Sequence, residues 1–188
     1  MENEKHNGGC GCGKVRYETT GHPVRAGICH CRYCQTRTGS AFGISVYFEE
    51  SQVNIIKGDL TEYNFNNSSG RNFKNKFCKT CGTTVLWQVE IRKGLLGVAG
   101  GTFDPPTFWF KAGFEVFCRS KAPFIETNIL EKHETTEYYE PIEADNHALT
   151  GWLAIYPSWY FFLIISAAFS AIMIVGALVF PETIVGIM

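Results

Sequence analysis

Three cysteines within six residues constrain this chain more than any other feature. Cys29, Cys31 and Cys34 follow C-x-C and C-x-x-C spacings, and a further cysteine pair lies on either side of them. The flanking pairs are Cys10 with Cys12 and Cys78 with Cys81. Cysteines at such spacings can close around one metal ion at about 2.3 Å per Zn–S bond, whereas disulfides between such close neighbours are strained. The chain is therefore predicted to fold around metal-bound thiolates.

Cysteine usage also bears on the compartment and on the partners. Eight cysteines among 188 residues could form a secreted disulfide scaffold, but residues 1–7 are polar and contain no apolar signal-peptide core. Clustered reduced cysteines in a cytosolic compartment are typical of metal sites, so zinc is favoured over disulfides. The 17 basic and 18 acidic residues nearly cancel to a net charge of −1, so the overall charge does not indicate a nucleic-acid partner.

The number of cysteines favours two different metal sites. Four thiolates make a closed and usually structural site, whereas three protein ligands leave one tetrahedral position for water or substrate. We therefore divide the seven clustered cysteines into one closed and one open metal site. The closed site would contain Cys10, Cys12, Cys78 and Cys81, and the open site would contain Cys29, Cys31 and Cys34. Spacing alone leaves another partition open, in which Cys29 and Cys31 join the distal pair.

The ligand type of the open site indicates its chemistry. Zinc held by three thiolates carries a charge of about −1 and is a weaker Lewis acid than zinc held by three histidines. Capture of a soft thiolate is then more natural than generation of hydroxide, which points to a sulfur-containing substrate. Three cations near the cysteines in sequence, Lys14, Arg32 and Arg37, could offset the negative charge.

Two further residues are candidates for chemistry. His30 lies between Cys29 and Cys31 and could be a fourth ligand, but a residue at that position often points away and hydrogen-bonds outside the metal's own ligands. Cys118 alternates with Phe114 and Val116, which predicts one face of a strand. A lone cysteine there is typically a small buried hydrophobe, and the alternative is a reactive thiol.

Alternating apolar and β-branched segments predict a small all-β domain over residues 1–130, stapled by metal. The expected strands are 15–20, 24–28, 41–48, 53–56, 61–65, 71–77, 83–89, 95–99 and 114–117. Residues 66–70 are predicted to turn a hairpin, and 124–130 to close the domain. A polar loop is expected at 35–39, because nothing before residue 130 shows a helical period.

The composition changes twice after residue 130. Residues 131–150 are rich in acidic side chains and predict a solvated linker. Residues 151–182 predict a transmembrane tail anchor, since the 22 positions of 159–180 carry no charge and would span about 33 Å as a helix. The aromatic residues expected at the membrane interface are Trp152, Tyr156, Trp159 and Tyr160.

A single-pass topology follows from the same interpretation. Because the thiolates need reducing conditions, the zinc domain is expected to face the cytoplasm. Small residues four apart, at Ser166/Ser170 and Ala167/Ala171, could support a homodimer in the bilayer.

Several ordered motifs between residues 8 and 125 resemble one protein family. They are Gly8-Gly9-Cys10-x-Cys12-Gly13-x-Val15-Arg16-Tyr17, Cys29-His30-Cys31-x-x-Cys34-Gln35, Thr38-Gly39-Ser40-Ala41-Phe42, Phe77-Cys78-x-x-Cys81-Gly82-Thr83 and Lys121-Ala122-Pro123. These motifs resemble the glutathione-dependent formaldehyde-activating enzyme and centromere protein V family. Members often have His and Trp where this chain has Glu115 and Phe124.

The resemblance implies a fold, a reaction and a division of the cysteines. The fold is the Mss4-like folded β-sheet, and the activity is S-(hydroxymethyl)glutathione formation, a reaction of the carbon–sulfur lyase class with glutathione as the thiol. Two zinc ions per chain are implied. The structural zinc would lie on Cys10, Cys12, Cys78 and Cys81, and the catalytic-type zinc on Cys29, Cys31 and Cys34.

Two other function classes compete with the enzyme. One is a membrane-tethered zinc module that binds another protein, with both metals structural. The other is a redox protein that uses Cys118 as its nucleophile. A zinc deaminase is disfavoured because the H-x-E element that accompanies its cysteine pair is absent.

Overall fold

The alternating segments of the sequence form eleven strands in the part of the chain that the structure describes, residues 4–136 and 139–140 of a computed structural model. One helix, α1 (Arg32–Thr38), accompanies them. The strands are β1 (Lys5–Gly9), β2 (Arg16–Thr20), β3 (Arg25–Cys29), β4 (Gly43–Glu49), β5 (Val53–Lys57), β6 (Leu60–Asn66), β7 (Asn72–Cys78), β8 (Thr84–Val89), β9 (Leu95–Ala99), β10 (Phe114–Val116) and β11 (Glu131–Lys132). The prediction of a mainly β domain is confirmed.

The strands form two sheets. The smaller is antiparallel with the order β1-β2-β5, and the larger has the order β11-β10-β3-β4-β9-β8-β7-β6. The predicted hairpin is present, since β6 and β7 pair from Leu60 opposite Cys78 to Asn66 opposite Asn72. Its turn is held by the Asn67 side chain, which accepts the backbone N–H groups of Ser69 and Arg71.

The hydrophobic core draws side chains from both sheets. Tyr17 of β2 packs in one cluster with buried residues of β4, β8 and β9 and with Phe103. Two cysteines, Cys10 and Cys78, belong to the same cluster. One group of predicted metal ligands is therefore built onto the core of the domain.

Strand β10 lies parallel to β3, a pairing between segments that are far apart in sequence. The Phe114 ring packs directly over Gly27, and the Arg25 guanidinium lies 4.1 Å from the ring centroid. A side chain at position 27 would occupy the space of the ring, so glycine is required for this close approach. The pairing brings β10 alongside Cys29, where the three-cysteine cluster begins.

The predicted polar loop at 35–39 is wrong, because residues 32–38 form α1. The Cys31 sulfur accepts the backbone N–H of Cys34 as an N-cap, and Gly39 ends the helix in the left-handed conformation at φ 61°. Only Cys34 of the helix is buried. The sequence therefore carries no apolar period, and cysteine is not among the preferred capping residues.

The end of the domain also differs from the prediction. Residues 124–130 form no strand, and the side chains of Phe124 and Leu130 are 77% and 97% exposed. The second parallel partner of β10, on the side away from β3, is instead β11, at the start of the segment assigned to a linker. Backbone hydrogen bonds at a sheet edge require no apolar side chains, so the sequence pattern could not show this strand.

Within residues 4–136 and 139–140, no helix is long and apolar enough to cross a membrane. The predicted transmembrane segment at 151–182 lies outside the described residues, as does most of the linker.

The packing of Phe114 on β3 predicts the effect of Gly27→Ala. The added Cβ would lie 2.5 Å from ring carbons of Phe114, so this variant should lose about 1–3 kcal/mol of unfolding free energy. The check is chemical unfolding of the purified full chain in detergent. Gly101→Ala is the control, because its Cβ meets nothing within 4 Å, and equal stability of the two variants would contradict the packing.

Candidate metal centres

Four cysteines meet where two turns approach each other. Cys10 and Cys12 lie in the turn between β1 and β2, while Cys78 ends β7 and Cys81 lies in the turn before β8. Each turn reverses at a glycine in the left-handed conformation, Gly13 at φ 70° and Gly82 at φ 71°. These glycines donate their N–H groups to the carbonyls of Cys10 and Cys78. The two turns thus have similar local folds around their sulfurs.

The sulfur positions of this four-thiol group fit a tetrahedral metal ion. Cys10 Sγ lies 3.5 Å from Cys12 Sγ, which lies 3.8 Å from Cys78 Sγ. Zn–S bonds of about 2.3 Å would place neighbouring sulfurs about 3.8 Å apart. All four sulfurs lie within 4.8 Å of one another. Zinc therefore fits this group without rearrangement of the backbone.

Hydrogen bonds to the sulfurs of the four-thiol group favour their thiolate forms, which bind metal. The Val15 N–H donates to Cys10 Sγ at 3.2 Å. The Thr83 hydroxyl oxygen accepts the Gly11 N–H and lies 3.2 Å from Cys81 Sγ, to which it can donate. Hydrogen bonds from Thr83 lower the pKa of the Cys81 thiol to about 5. Thr83 thereby links the two turns and favours the thiolate that a metal requires.

The remaining cysteines of the cluster form a separate three-thiol group. Cys29 ends β3, Cys31 precedes α1, and Cys34 lies in the first turn of the helix. Their sulfurs lie within 4.8 Å of one another; Cys34 is buried and the other two are half-buried. Within the described residues, the structure does not bring Cys29 and Cys31 to the distal pair. It groups the cysteines as four and three.

The three-thiol group concentrates negative charge on Cys34. Hydrogen bonds from the Cys29 and Cys31 thiols, together with the Arg37 guanidinium, hold the pKa of Cys34 well below its usual range. The hydrogen bonds of Cys29 with Cys31 and Cys34 raise the pKa of Cys29 well above that range. A metal ion would bind all three sulfurs as thiolates, because ligation displaces their protons. With three protein ligands, one tetrahedral position would remain for a fourth donor.

His30 does not join the three sulfurs. Its ring is fully buried, and Nε2 lies 3.1 Å from Oε1 of Glu115, whose side chain is also fully buried. Its backbone N–H donates to the carbonyl of Val116. His30 is therefore adjacent in sequence to two of the cysteines, while its ring hydrogen-bonds to Glu115.

Glu115 is the charged residue whose role the sequence did not reveal. Burial raises its pKa, but hydrogen bonds from His30 and Lys121 outweigh that effect and leave the pKa below the usual value. The sequence did contain one sign of this role, since Glu115 is the single acidic residue in the apolar run 114–117. A carboxylate in such a run becomes buried with it, and a buried carboxylate requires partners.

Arg37 connects the three-thiol group to a cleft of about 430 Å³. Its guanidinium lies 4.3 Å from the centroid of the Trp87 ring and helps to lower the pKa of Cys34. The cleft continues past the start of β4 to Cys81 and is lined by five hydroxyl side chains and the apolar Phe42 and Ile44. The hydroxyls belong to Thr38, Ser40, Thr83, Thr84 and Thr102. Arg32 and Lys14, the other cations suggested by the sequence, are exposed.

Cys118 does not lie on a strand as expected. Strand β10 ends at Val116, and Phe117 adopts φ 59°, so that Cys118 begins a short 3-10 turn. Its thiol is half-buried, and burial followed by the charge of Glu115 raises its pKa. The protonated thiol is a poor nucleophile, which argues against the redox interpretation.

Comparison with known proteins gives a family and a similar solved structure. The sequence model of a family described as "Glutathione-dependent formaldehyde-activating enzyme" matches residues 5–120. A crystal structure of a Rhodobacter sphaeroides protein is similar at 24% sequence identity, with a TM-score of 0.44 over 56% of this chain and 96% of that chain.

The two sulfur groups predict separable metal binding. The full chain purified under reducing conditions should hold two zinc ions, and Cys31→Ser should retain about one because only the three-thiol group loses a ligand. Elemental analysis by mass spectrometry against protein concentration gives the ratio. Cys118→Ser should keep both ions. A ratio of one in both the unmodified chain and Cys31→Ser would mean that only the four-thiol group binds zinc.

Proposed function

Because this chain belongs to the glutathione-dependent formaldehyde-activating enzyme family, we propose that it is a zinc-dependent carbon–sulfur lyase. Its substrate would be a thiol adduct such as S-(hydroxymethyl)glutathione, formed from glutathione and formaldehyde. The observation that carries this proposal is the three-thiol group, which supplies only three ligands. A closed set of ligands would leave no position for a substrate sulfur.

The chemistry requires no redox partner. A substrate thiolate would attack the carbonyl carbon of formaldehyde, so that a carbon–sulfur bond forms as the carbonyl π bond opens. The resulting alkoxide takes a proton from water. Zinc bound to Cys29, Cys31 and Cys34 would supply an open position suited to a thiolate sulfur.

The residues around the three-thiol group support binding of an acidic thiol. Arg37 places a positive charge between the Cys34 sulfur and the cleft, which offsets part of the thiolate charge. Glutathione carries carboxylates, and a guanidinium binds carboxylates through paired hydrogen bonds. Phe42 and Ile44 would exclude water from one side of the cleft. Arg37 lines the cleft and interacts with Cys34, so it could hold the carboxylate of such a thiol near the three-thiol group, where proximity accelerates the reaction.

This function predicts the effect of Cys31→Ser on catalysis. The unmodified chain should accelerate exchange between formaldehyde hydrate and its glutathione adduct, measured by proton NMR exchange spectroscopy. Cys31→Ser should lower that exchange to the uncatalysed rate, because it removes one metal ligand.

The matched control is Cys118→Ser, which changes a cysteine outside both sulfur groups and should keep the full rate. Exchange at the uncatalysed rate in a chain that holds two zinc ions would contradict the enzyme. Binding of another protein that survives loss of Cys34 would then favour the interaction module.

We also propose that residues 159–180 anchor the chain in a membrane, with the metal-binding domain on the cytoplasmic side. The support is the uncharged run of 22 residues and the reducing conditions that thiolates require. The full chain should stay with membranes after carbonate extraction. A variant with Phe169→Arg and Ile172→Arg should be released, because these positions lie near the middle of the run and charges at the bilayer centre are costly. Release of the full chain would refute the anchor.

A further inference from the structure

We propose that Glu115, acting through His30, is a positioning residue that sets Cys29 and Cys31 for metal binding. The inference rests on the metal site of the proposed function, and not on the thiol-adduct chemistry. It concerns a buried pair that no step of that chemistry uses.

Glu115 is fully buried and needs partners for its charge. Its carboxylate has no exposed surface, and leaving a charge in such a place without partners is costly. Three partners compensate: His30 Nε2 at 3.1 Å, Lys121 Nζ at 3.1 and 3.3 Å, and Lys132 Nζ at 3.6 Å. The carboxylate is thus held from three segments of the chain, and one of its contacts is the ring of His30.

The pairing of β3 with β10 determines which of their side chains share a face of the sheet. In the parallel pairing of β3 with β10, Glu115 lies opposite Ile28 and Val116 opposite Cys29. His30 continues this pairing, since its backbone N–H donates to Val116. Successive side chains of an extended segment point to opposite faces, so His30 shares the face of Glu115, whereas Cys29 shares the face of Val116.

The direction of His30 also affects the sulfurs of its two neighbours, Cys29 and Cys31. Cys31 is still extended, with φ −62° and ψ 151°, before the chain enters α1. With His30 held on one face, Cys29 and Cys31 both turn to the other, where Cys34 completes the group. Loss of the bond between Glu115 and His30 would free the ring to rotate and disturb both neighbouring ligands. Removal of outer hydrogen bonds around metal ligands typically weakens metal binding about 10–100-fold.

The tautomer of His30 agrees with this role. A carboxylate at Nε2 requires that this nitrogen carries a proton and donates it. Nδ1 is buried and has no hydrogen-bond partner among the described residues. The bond to Glu115 is thus the side-chain hydrogen bond that orients the ring.

The test measures zinc affinity at each group of the full chain by competition with a chromophoric chelator. Cobalt substitution adds the spectroscopic signature of tetrahedral thiolate ligation. Glu115→Ala should weaken the three-thiol group about 10–100-fold and leave the four-thiol group unchanged. Glu115→Gln keeps an oxygen that accepts from His30 and should recover most of the affinity, which a purely charge-based effect would not allow.

Two further variants keep the test decisive. His30→Phe removes the same hydrogen bond while Glu115 keeps both lysines, so it should repeat the selective loss even if Glu115→Ala does not fold. Glu62→Ala is the control, because Glu62 is also a strand residue paired with two lysines, Lys74 and Lys76, but is exposed to solvent. Glu62→Ala should leave both affinities unchanged.

The outcomes separate this inference from the proposed function. Unchanged affinity of the three-thiol group in both Glu115→Ala and His30→Phe would overturn the inference, as would equal loss at both groups. Neither result would affect the enzyme. A chain that binds only one zinc would overturn both proposals, whereas a selective loss in a chain without exchange activity would overturn the enzyme alone.

Discussion

The convergence of seven cysteine sulfurs into two groups is the constraint on which the rest of the structure depends. Cys10 and Cys78 are part of the hydrophobic core, so the four-thiol group connects the turn of the small sheet to the end of β7 in the large sheet. The three-thiol group occupies the junction of β3 with α1. Metal binding by the four-thiol group would therefore be linked to folding, because its two cysteine pairs are distant in sequence and only the fold brings them together.

The two groups differ in their surroundings as well as in their number of ligands. In the four-thiol group, Cys12 and Cys81 are exposed. The Val15 N–H donates to Cys10, and the Thr83 hydroxyl lies within hydrogen-bonding distance of Cys81. The three-thiol group has no exposed cysteine. Arg37 interacts with its Cys34, and His30, which lies between Cys29 and Cys31, is buried against Glu115. The group with fewer ligands is thus the less exposed of the two.

Several parts of the fold were predictable because they depend on local patterns. Strands β4, β6, β7, β8 and β9 fall where alternation and β-branched residues predicted them. Helix α1 was missed because it has seven residues, buries only Cys34 and is capped by a cysteine sulfur. Strand β11 was missed because its partner β10 is distant in sequence and its pairing is carried by backbone atoms. Neither element has a side-chain period that a sequence can show.

The sequence by itself determined which cysteines could bind metal, because closely spaced cysteines favour shared metal over other uses and their motifs identify a family. Spacing alone left the division of those cysteines open, because it does not say which turns meet, and the family motifs implied groups of four and three. The tertiary structure brings the sulfurs together in those two groups. It also placed Arg37 where it both interacts with Cys34 and lines the cleft, and joined His30 to a glutamate 85 positions away in the chain. These contacts depend on the pairing of β3 with β10 and on the packing of α1, which are long-range interactions that local sequence patterns do not encode.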